Sequence, residues 1–340
     1  MVTVGMLSHR KDPKMVYKSY AYAAAAKMEG VEFYFFSPGR VHFDTGTIEG
    51  WVYESGQWIQ KINPFPDVIY NASSAQTEKQ EEIVKRLGKI IPFTSHPIGS
   101  KWDVFQRLKE AKTFAQYLIP SIEVKKAQEV IEFLRHYKDI VLKPFFGHQG
   151  QNIIHVMKND KSYLIERDKN NTVMNVEEFT DFINSIIEKM TYLAQAYIDS
   201  KTKSDLATHF RLHVQKDGEG KWNLATIFPC VVEKGIVANI SNGGYTMVFE
   251  DFLKQEFNYE YFNIKRYLEH FSVEFSKHFD SLHQNKLDEL GIDVGLDKNQ
   301  KIWIFEVNWR PGTPPTFSLE LDVAKQMIRY ARYLALKGSV

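Results

Sequence analysis

Gly291-Ile-Asp-Val-Gly-Leu-Asp297 and Lys301-Ile-Trp-Ile-Phe-Glu-Val-Asn-Trp-Arg-Pro-Gly312 are the two stretches that decide the fold of this chain. Their apolar residues predict two strands, and the polar residues between them are typical of a turn. Side chains alternate between the two faces of a strand, so Glu306 and Asn308 project to the same side. Asp293, on the preceding strand, is expected to face them across the pair.

Two carboxylates and an amide oxygen that converge in this way form a hard-oxygen site suited to Mg²⁺, which keeps open positions for phosphate oxygens. The alternative is a solvent-facing hairpin with ordinary surface acids, because an isolated D…E-x-N spacing is common by chance. Features elsewhere in the chain favour the metal site.

Length and composition exclude several classes of protein. A chain of 340 residues can bury a large core and is expected to form two or more domains. With a net charge of +1, the chain has no large excess of basic residues with which to bind nucleic acid or an anionic membrane, so we expect neither as a partner. Aromatic residues make up 14% of the chain, mostly at strand or helix spacing, which favours core packing.

The compartment follows from the cysteine content and from the N-terminus. The single cysteine, Cys230, excludes an internal disulfide and indicates a reducing compartment. It lies among strand residues with no obvious base nearby, so a packed thiol is favoured over a nucleophile. The chain enters a predicted strand at once, without a signal pattern, and no apolar run approaches the roughly 20 residues of a spanning helix. We expect a cytoplasmic protein.

Residues 1–98 are predicted to form a small α/β domain, because strand, helix and strand follow one another at its start. Polar residues at the ends of its predicted strands lie where ligands often bind, although plain loops fit equally well. They are Ser8, His9, Arg10 and Asn71-Ala-Ser-Ser74.

Hydrophobic periodicity predicts the remaining elements. Helices are predicted at 15–28, 76–87, 101–112, around 130–134, and at 179–190, 264–282 and 321–336. Strands are predicted at 2–8, 31–36, 67–71, 139–143, 153–156 and 192–198, with hairpins within 48–62 and 209–228.

One predicted strand, Asp139–Lys143, ends on a lysine and is followed by Gly147-His-Gln-Gly150. A lysine placed there can contact phosphates while the loop N–H groups cradle them. On its own, the glycine pair is more typical of a hairpin turn. Neither the Walker pattern nor G-x-G-x-x-G after a strand is present, so P-loop and dinucleotide folds are unsupported.

The order of these features from Lys101 to the end resembles the ATP-grasp superfamily, in the branch that contains glutathione synthetase and the glutamate-ligating enzymes. Within that branch the chain is most similar to the endospore coat-associated YheC/YheD-type proteins. The resemblance implies an α/β (α+β) protein with the ATP-grasp fold. Two α+β subdomains, at about 99–197 and 198–340, would clamp ATP behind the N-terminal domain of residues 1–98.

The resemblance also implies roles for individual residues in binding ATP and one or two Mg²⁺. In chain order these are a first phosphate lysine, a second one, a flexible glycine loop, an adenine-binding hinge, a loop asparagine and the metal ligands. They are Lys101; Lys143; Gly147, His148, Gln149, Gly150 and Gln151; Gln195, Ala196, Tyr197 and Ile198; Asn239; and Asp293, Glu306 and Asn308.

The sequence departs from the family pattern at two positions. Arg211 matches the arginine of the family's Asp-x-Arg, but His209 stands in place of the aspartate. A second-hairpin arginine expected near Pro229-Cys230 is missing, and Arg310 or Lys234 are the candidates to replace it in binding the reacting acyl oxygen. The resemblance therefore implies Arg211 and Arg310 as catalytic residues.

The activity implied by the resemblance is ATP-dependent ligation of a carboxylate to an amine through an acyl phosphate, with small molecules or peptides as substrates. The missing arginine favours a rival, an ATP-binding, spore-associated structural or binding protein with little or no ligase activity. A small-molecule kinase that stops at a phosphorylated product is a third hypothesis. Spore association is part of the resemblance, and a homodimer is the default expectation because dimers are the commonest oligomers.

Overall fold

The structure is a computed structural model that describes most of the chain, and the structural statements below concern the described residues only. The whole predicted glycine loop and the predicted loop asparagine lie outside them, as does Lys234. The described residues are 1–145, 152–167, 170–232 and 244–337, so Gly147, His148, Gln149, Gly150, Gln151 and Asn239 are not among them.

The first sheet belongs to the N-terminal part of the chain. Its strands are β1 (Thr3–Leu7), β2 (Glu32–Phe36), β3 (Val41–His42), β4 (Thr47–Glu54), β5 (Gln57–Pro64), β6 (Val68–Asn71) and β7 (Phe93–Thr94). The order is β3-β4-β2-β1-β6-β7, with β5 paired to β4. Because β1 runs parallel to β2 and β6, and β6 parallel to β7, the carboxyl ends of these strands meet at one edge.

Helices cover both faces of this sheet. Helix α1 (Lys18–Met28) and the C-terminal helix α8 (Phe317–Lys337) share one buried cluster with β1 and β6, while α2 (Glu78–Leu87) packs on the other face. Helix α8, near the end of the chain, therefore packs in the same hydrophobic core as β1 at its beginning.

The second sheet lies between residues 121 and 196. Its elements are β8 (Ser121–Val124), α4 (Ala127–Tyr137), β9 (Asp139–Pro144), β10 (Ile154–Lys158), β11 (Tyr163–Arg167), β12 (Asn170–Met174), α5 (Val176–Ile187) and β13 (Tyr192–Ala196). The order is β12-β11-β10-β9-β13-β8 and every neighbouring pair is antiparallel. Helices α4 and α5 bury one face, which leaves the other free for polar side chains.

The third sheet has the order β15-β14-β16-β17 and is also antiparallel. Its elements are β14 (Ala207–Lys216), β15 (Trp222–Val232), α6 (Phe249–Phe257), α7 (Tyr261–Ser281), β16 (Glu289–Leu296) and β17 (Ile302–Asn308). The phenylalanine stripe of α7 packs on one face, where α3 (Lys101–Ala111) joins the same buried cluster through Val104 and Leu108.

The predicted helices and hairpins are confirmed, with differences of a few residues at their ends. Strands β3, β7, β8, β11 and β12 and helix α6 were not predicted. In β12, four of the five residues are exposed and no alternation marks the strand. Strand β13 ends at Ala196, two residues before the predicted end, yet Tyr197 still donates its N–H to the Asp139 carbonyl. No helix within the described ranges has the length and apolar character needed to cross a membrane.

Candidate functional site

The face of the third sheet that points away from α7 is polar. His209, Arg211, His213 and Gln215 alternate along β14 with apolar residues that enter the core. This alternation is what a half-buried strand requires, but here the second face is buried as well, since Gln215 is fully inaccessible. Polar groups in such a position need partners from neighbouring strands or from other parts of the chain.

The predicted metal ligands meet on this face. Asp293 pairs directly with Glu306 across β16 and β17, and Asn308 pairs with Gly291. Directly opposed residues of an antiparallel pair point to the same side. The two carboxylates and the amide therefore share one surface.

An irregularity in the pairing after Asp293 brings an aromatic ring to the same surface. A Cβ atom at Gly295 would lie 2.3 Å from the ring of Phe305, so the glycine leaves the space that the ring fills. The Phe305 ring centre lies 5.9 Å from Nζ of Lys143 on the second sheet. The bulge thus places a flat apolar surface between the two sheets.

Asp293 is bound by Arg211, the residue opposite it on β14. The Arg211 Nε contacts Oδ1, Nη2 donates to Oδ2 at 2.9 Å, and His209 Nε2 lies 3.5 Å from Oδ1. Burial acts to raise the pKa of Asp293, but the Arg211 guanidinium outweighs burial and leaves the pKa below its usual value. Burial lowers the pKa of His209, so the charged partner of Asp293 is Arg211.

Two lysines from other elements lie near these carboxylates. A Ser100 capping box begins α3 at Lys101, whose Nζ lies 3.5 Å from Oε1 of Glu306. Lys143, near the end of β9, donates to Oε1 of Gln195 at 2.6 Å. Burial lowers the pKa of Lys143 to about 8, while Glu306 acts in the opposite direction. The structure thus brings cations from α3 and from the second sheet close to carboxylates of the third.

The predicted hinge follows Lys143 along β13. Gln195 also donates through Nε2 to Oγ of Ser121 at 3.1 Å, so its side chain ties three strands together. The N–H groups of Ala196 and Tyr197 donate to the carbonyls of Pro120 and Asp139. Ile198, the last residue of the predicted hinge, follows directly in the chain.

Sequence reasoning missed a charged cluster on the same face of the second sheet. His155 contacts Glu166 through Nδ1 at 2.8 Å and Asp139 through Nε2, and its ring centre lies 4.7 Å from that of Tyr197. Burial acts to lower the pKa of His155, but the two carboxylates raise it above its usual value. A histidine inside an alternating strand gives no sequence signal of partners 11 and 16 residues away.

Arg310 lies apart from the Arg211–Asp293 pair. Its Nη1 donates to Oγ of Ser74 at 2.6 Å, and its guanidinium lies 3.8 Å from the ring centre of Trp309. It therefore faces the N-terminal part of the chain rather than the carboxylates of the third sheet.

The position of the missing arginine is apolar. Cys230 pairs with His209 and packs with Phe228, Val232 and Leu319. Burial raises the pKa of the Cys230 thiol to about 12, which agrees with a packed residue rather than a nucleophile.

The donor set fits a magnesium ion that is shared with a nucleotide. Within the described ranges no group of three or more His, Cys, Asp or Glu side chains is arranged to hold a metal. Mg²⁺ commonly takes only one or two protein carboxylates and fills its other positions with phosphate oxygens and water. Asp293, Glu306 and Asn308 meet that requirement, and they do not form an all-protein cage.

Comparisons with known proteins agree with this geometry. The family described as YheC/D like ATP-grasp matches residues 90–334. Endospore coat-associated protein YheC of Bacillus subtilis (strain 168) is 27% identical over 350 residues, covering 96% of this chain and 93% of the relative. Endospore coat-associated protein YheD of the same organism is 24% identical over 322 residues, covering 89% and 70%.

A solved structure shows the fold. The RiPP-associated ATP-grasp ligase of Chryseobacterium gregarium, solved with ADP and a leader and core peptide, superposes with a TM-score of 0.54 at 12% identity. The superposition covers 98% of this chain and 97% of that one. The α/β class and the ATP-grasp fold predicted from the sequence are thereby confirmed.

Proposed function

The chain belongs to the YheC/D-like ATP-grasp family, and on that premise we propose that it is an ATP- and Mg²⁺-dependent carboxylate–amine ligase. The observation that carries the proposal is that Lys101 and Lys143 lie near Glu306 and Asp293. The space that these four residues border is the proposed nucleotide cleft. Phosphoryl transfer needs mainly positioning and neutralisation of charge, and this cleft provides both signs of charge in fixed places.

The two lysines are proposed to hold the phosphates of ATP. Lys143 is a desolvated ammonium whose side-chain hydrogen bond is to the neutral amide of Gln195, so an anion beside it would stabilise its charged form. Lys101 already contacts Glu306 and can exchange that contact for a phosphate oxygen. The proposed hinge, Gln195 to Ile198, would bind adenine through its backbone. Outside the described residues, Gly147–Gln151 and Asn239 are proposed to complete the phosphate site.

Asp293, Glu306 and Asn308 are proposed to hold one or two Mg²⁺, which would neutralise charge on the phosphates. Arg211, fixed by both carboxylate oxygens of Asp293, presents a rigid guanidinium to the group being transferred. The substrate carboxylate attacks the γ-phosphate and forms an acyl phosphate with release of ADP, and the amine then displaces phosphate to form the amide. Closure of the cleft would exclude the water that hydrolyses an acyl phosphate.

We further propose a domain division at residues 1–98 and 99–340, the second with halves at about 99–197 and 198–340. Each of these three segments contains one of the three sheets. Substrates are proposed to be small-molecule or peptide carboxylates and amines. The peptide option is supported by the solved relative that was crystallised with a leader and core peptide, and spore association by the names of YheC and YheD.

The test is an ADP-release screen of paired carboxylates and amines with the purified chain and Mg-ATP, read by mass spectrometry of the ligated product. Hydroxylamine serves as a general amine in a parallel arm, because only an acyl phosphate yields a hydroxamate. Release of ADP with hydroxamate formation supports the ligase. Phosphorylated product without hydroxamate indicates a kinase instead.

One observation favours a second candidate. The apolar packing of Cys230, where relatives of the ligase branch are expected to have an arginine, removes a charge from the acyl-binding side of the cleft. An ATP-binding, spore-associated protein with little ligase activity would bind Mg-ATP in calorimetry and show no amine-dependent ADP formation across the screen.

A further inference from the structure

A second group of buried polar side chains lies where the carboxyl ends of β1, β6 and β7 meet the start of β16. The N–H of Ser95 donates to Oδ1 of Asp288 at 2.8 Å, and its hydroxyl donates to Oε2 of Glu289 at 3.2 Å. His213 and Gln215 also contact Glu289, at 3.0 and 2.9 Å. The polar face of the third sheet therefore continues from the phosphate end at Asp293 to this junction with the first sheet.

Several buried atoms in this region have no hydrogen-bond partner among the described residues. The residues concerned are Thr94, His213 and Gln215, each at most 2% exposed, and Glu320, which is 4% exposed. Buried polar groups in folded proteins nearly always have partners, so a cluster of such atoms in one place requires an explanation. A bound polar molecule or ordered water would satisfy them.

Two cations at the same junction lack a carboxylate partner within the described residues. Arg310 donates to Ser74, and its buried Nε has no hydrogen-bond partner. Lys18 donates to the hydroxyl of Tyr70 at 3.1 Å and likewise makes no ion pair there. The two cations share neighbours, because Tyr70 and Glu289 each act to raise the pKa of both Lys18 and Arg310.

Among the described residues, none of the acids nearby forms an ion pair with these cations. Glu289 is occupied by His213, Gln215 and Ser95. Burial raises the pKa of Glu320 to about 8, so this carboxyl is mostly uncharged at neutral pH. Half-buried cations without a counter-ion are stabilised by an anion, and the arginine fork suits a carboxylate.

We propose that Arg310 and Lys18 form a subsite for a second carboxylate of the substrate, so that the acid activated by ATP is a dicarboxylate or an acidic amino acid. The inference rests on the proposed function. Arg310 is two residues beyond Asn308, and two residues span at most about 7 Å of chain. The chain therefore places Arg310 next to the segment that carries the proposed metal ligands, so that one substrate molecule can extend from one to the other.

The polar strand ends noted in the sequence lie at this subsite. The N–H of His9 donates to Oγ of Ser73 at 2.8 Å, next to the Ser74 hydroxyl that receives Arg310. Nδ1 of His9 is buried without a partner. Ligands of open α/β sheets bind at the carboxyl ends of the strands, and these residues occupy that edge.

The experiment is calorimetry on the whole chain saturated with Mg-ADP. Malonate, succinate and glutarate are titrated alongside propionate, butyrate and pentanoate, which lack the second carboxylate. At least one dicarboxylate is expected to bind at least 10-fold more tightly than its monoacid. R310A is expected to remove that difference, R310K to retain part of it, and K18M to reduce it. R40A is the matched control, because Arg40 is paired with Glu49 at the surface.

Each outcome decides one proposal. If Mg-ADP binds normally but no dicarboxylate is preferred, or if R310A keeps the preference, the subsite is wrong and the ligase proposal stands. If R310A weakens Mg-ADP itself, Arg310 serves the nucleotide and the subsite is again wrong. If the wild-type chain fails to bind Mg-ADP, the proposed function fails, and the same titration without nucleotide tests the subsite alone. Thermal unfolding of each variant verifies that it is folded.

Discussion

Asp293 and Glu306 lie directly opposite each other on neighbouring strands, and each contacts a different cation. Asp293 is bound by Arg211 from the adjacent strand, and Glu306 lies 3.5 Å from Lys101 at the start of α3. Each of these two neighbouring negative charges is thus balanced by a cation from a different element. In the proposed function, these two carboxylates share a divalent cation with the phosphates of ATP.

The first prediction concerns the two sides of the cleft. K143A and E306A are each expected to abolish ADP release while leaving the chain folded, because one removes a proposed phosphate contact and the other a proposed metal ligand. K109A is the control, since Lys109 lies on the exposed side of α3. ADP release is measured in the substrate screen, with circular dichroism to verify the fold. ADP release at the wild-type rate by either variant would refute the site assignment.

Nucleotide affinity is expected to depend on pH through Lys143. Burial lowers its pKa to about 8, so in the free protein the ammonium is charged below that pH and neutral above it. The Kd for Mg-ATP should therefore rise between pH 7 and pH 9. K143R is expected to bind with a nearly flat pH profile over this range, because a guanidinium stays charged. An equally steep rise in K143R would show that another group is responsible.

Loss of charge on Asp293 is expected to destabilise the fold. D293N leaves the Arg211 guanidinium half-buried without its counter-ion, at a cost of about 3 kcal/mol in the free energy of unfolding. Because Arg211 holds the pKa of Asp293 below its usual value, the contribution is complete above the unfolded pKa of about 3.9 and is lost as the pH falls through the folded pKa.

Urea unfolding at pH 7 and at stepwise lower pH measures this effect. D322N is the control, because Asp322 forms an exposed pair with Lys325, and it should cost less than about 0.5 kcal/mol. Equal losses in the two variants at pH 7 would contradict the importance of the buried pair.

Gly295 is expected to tolerate no side chain. In G295A the new Cβ would lie 2.3 Å from the Phe305 ring, so ring or backbone must move at a cost of about 1–3 kcal/mol. The displaced ring should also weaken Mg-ATP binding, measured by calorimetry. Gly39 has no atom within 4 Å of the corresponding position, so G39A is the neutral control. Unchanged stability and affinity in G295A would show that the ring can move freely.

His155 is expected to stabilise the second sheet in a pH-dependent way. Its folded pKa is raised by Asp139 and Glu166, so the stabilisation is fully present below the unfolded pKa of about 6.5 and is lost as pH rises through the folded pKa. H155Q should be less stable than wild type at pH 6 and should lose less stability on going to pH 9. H136Q, at an exposed histidine, should behave as wild type. If the stabilities of H155Q and wild type changed in parallel with pH, this prediction would be contradicted.

Several elements could be predicted because their signals are local. The alternation of β16 and β17 and the aromatic stripe of α7 depend on periods of two and 3.6 residues. Ser100 begins α3 through a capping box with Asp103, and it lies next to Lys101. Strand β12 could not be predicted, since an exposed edge strand has no buried face to leave a pattern.

Some features of the candidate site could be predicted from the sequence and others could not. That Glu306 and Asn308 share a face follows from strand geometry alone, whereas the partner of each carboxylate does not. Nothing near Glu306 in the chain indicates Lys101 as its neighbour. Arg310 was interpreted as a substitute for the missing arginine, but the structure places it against Ser74, 236 residues away in the chain.

The sequence by itself determined most of the longer strands and helices and the faces on which their polar side chains lie, because these depend on neighbouring residues and on the fixed geometry of the backbone. Only the tertiary structure decided which cation meets which carboxylate and which charges remain without a partner. Those pairings depend on how three sheets pack against α7, α8 and one another, and packing joins residues whose separation in the chain contains no information about their contact.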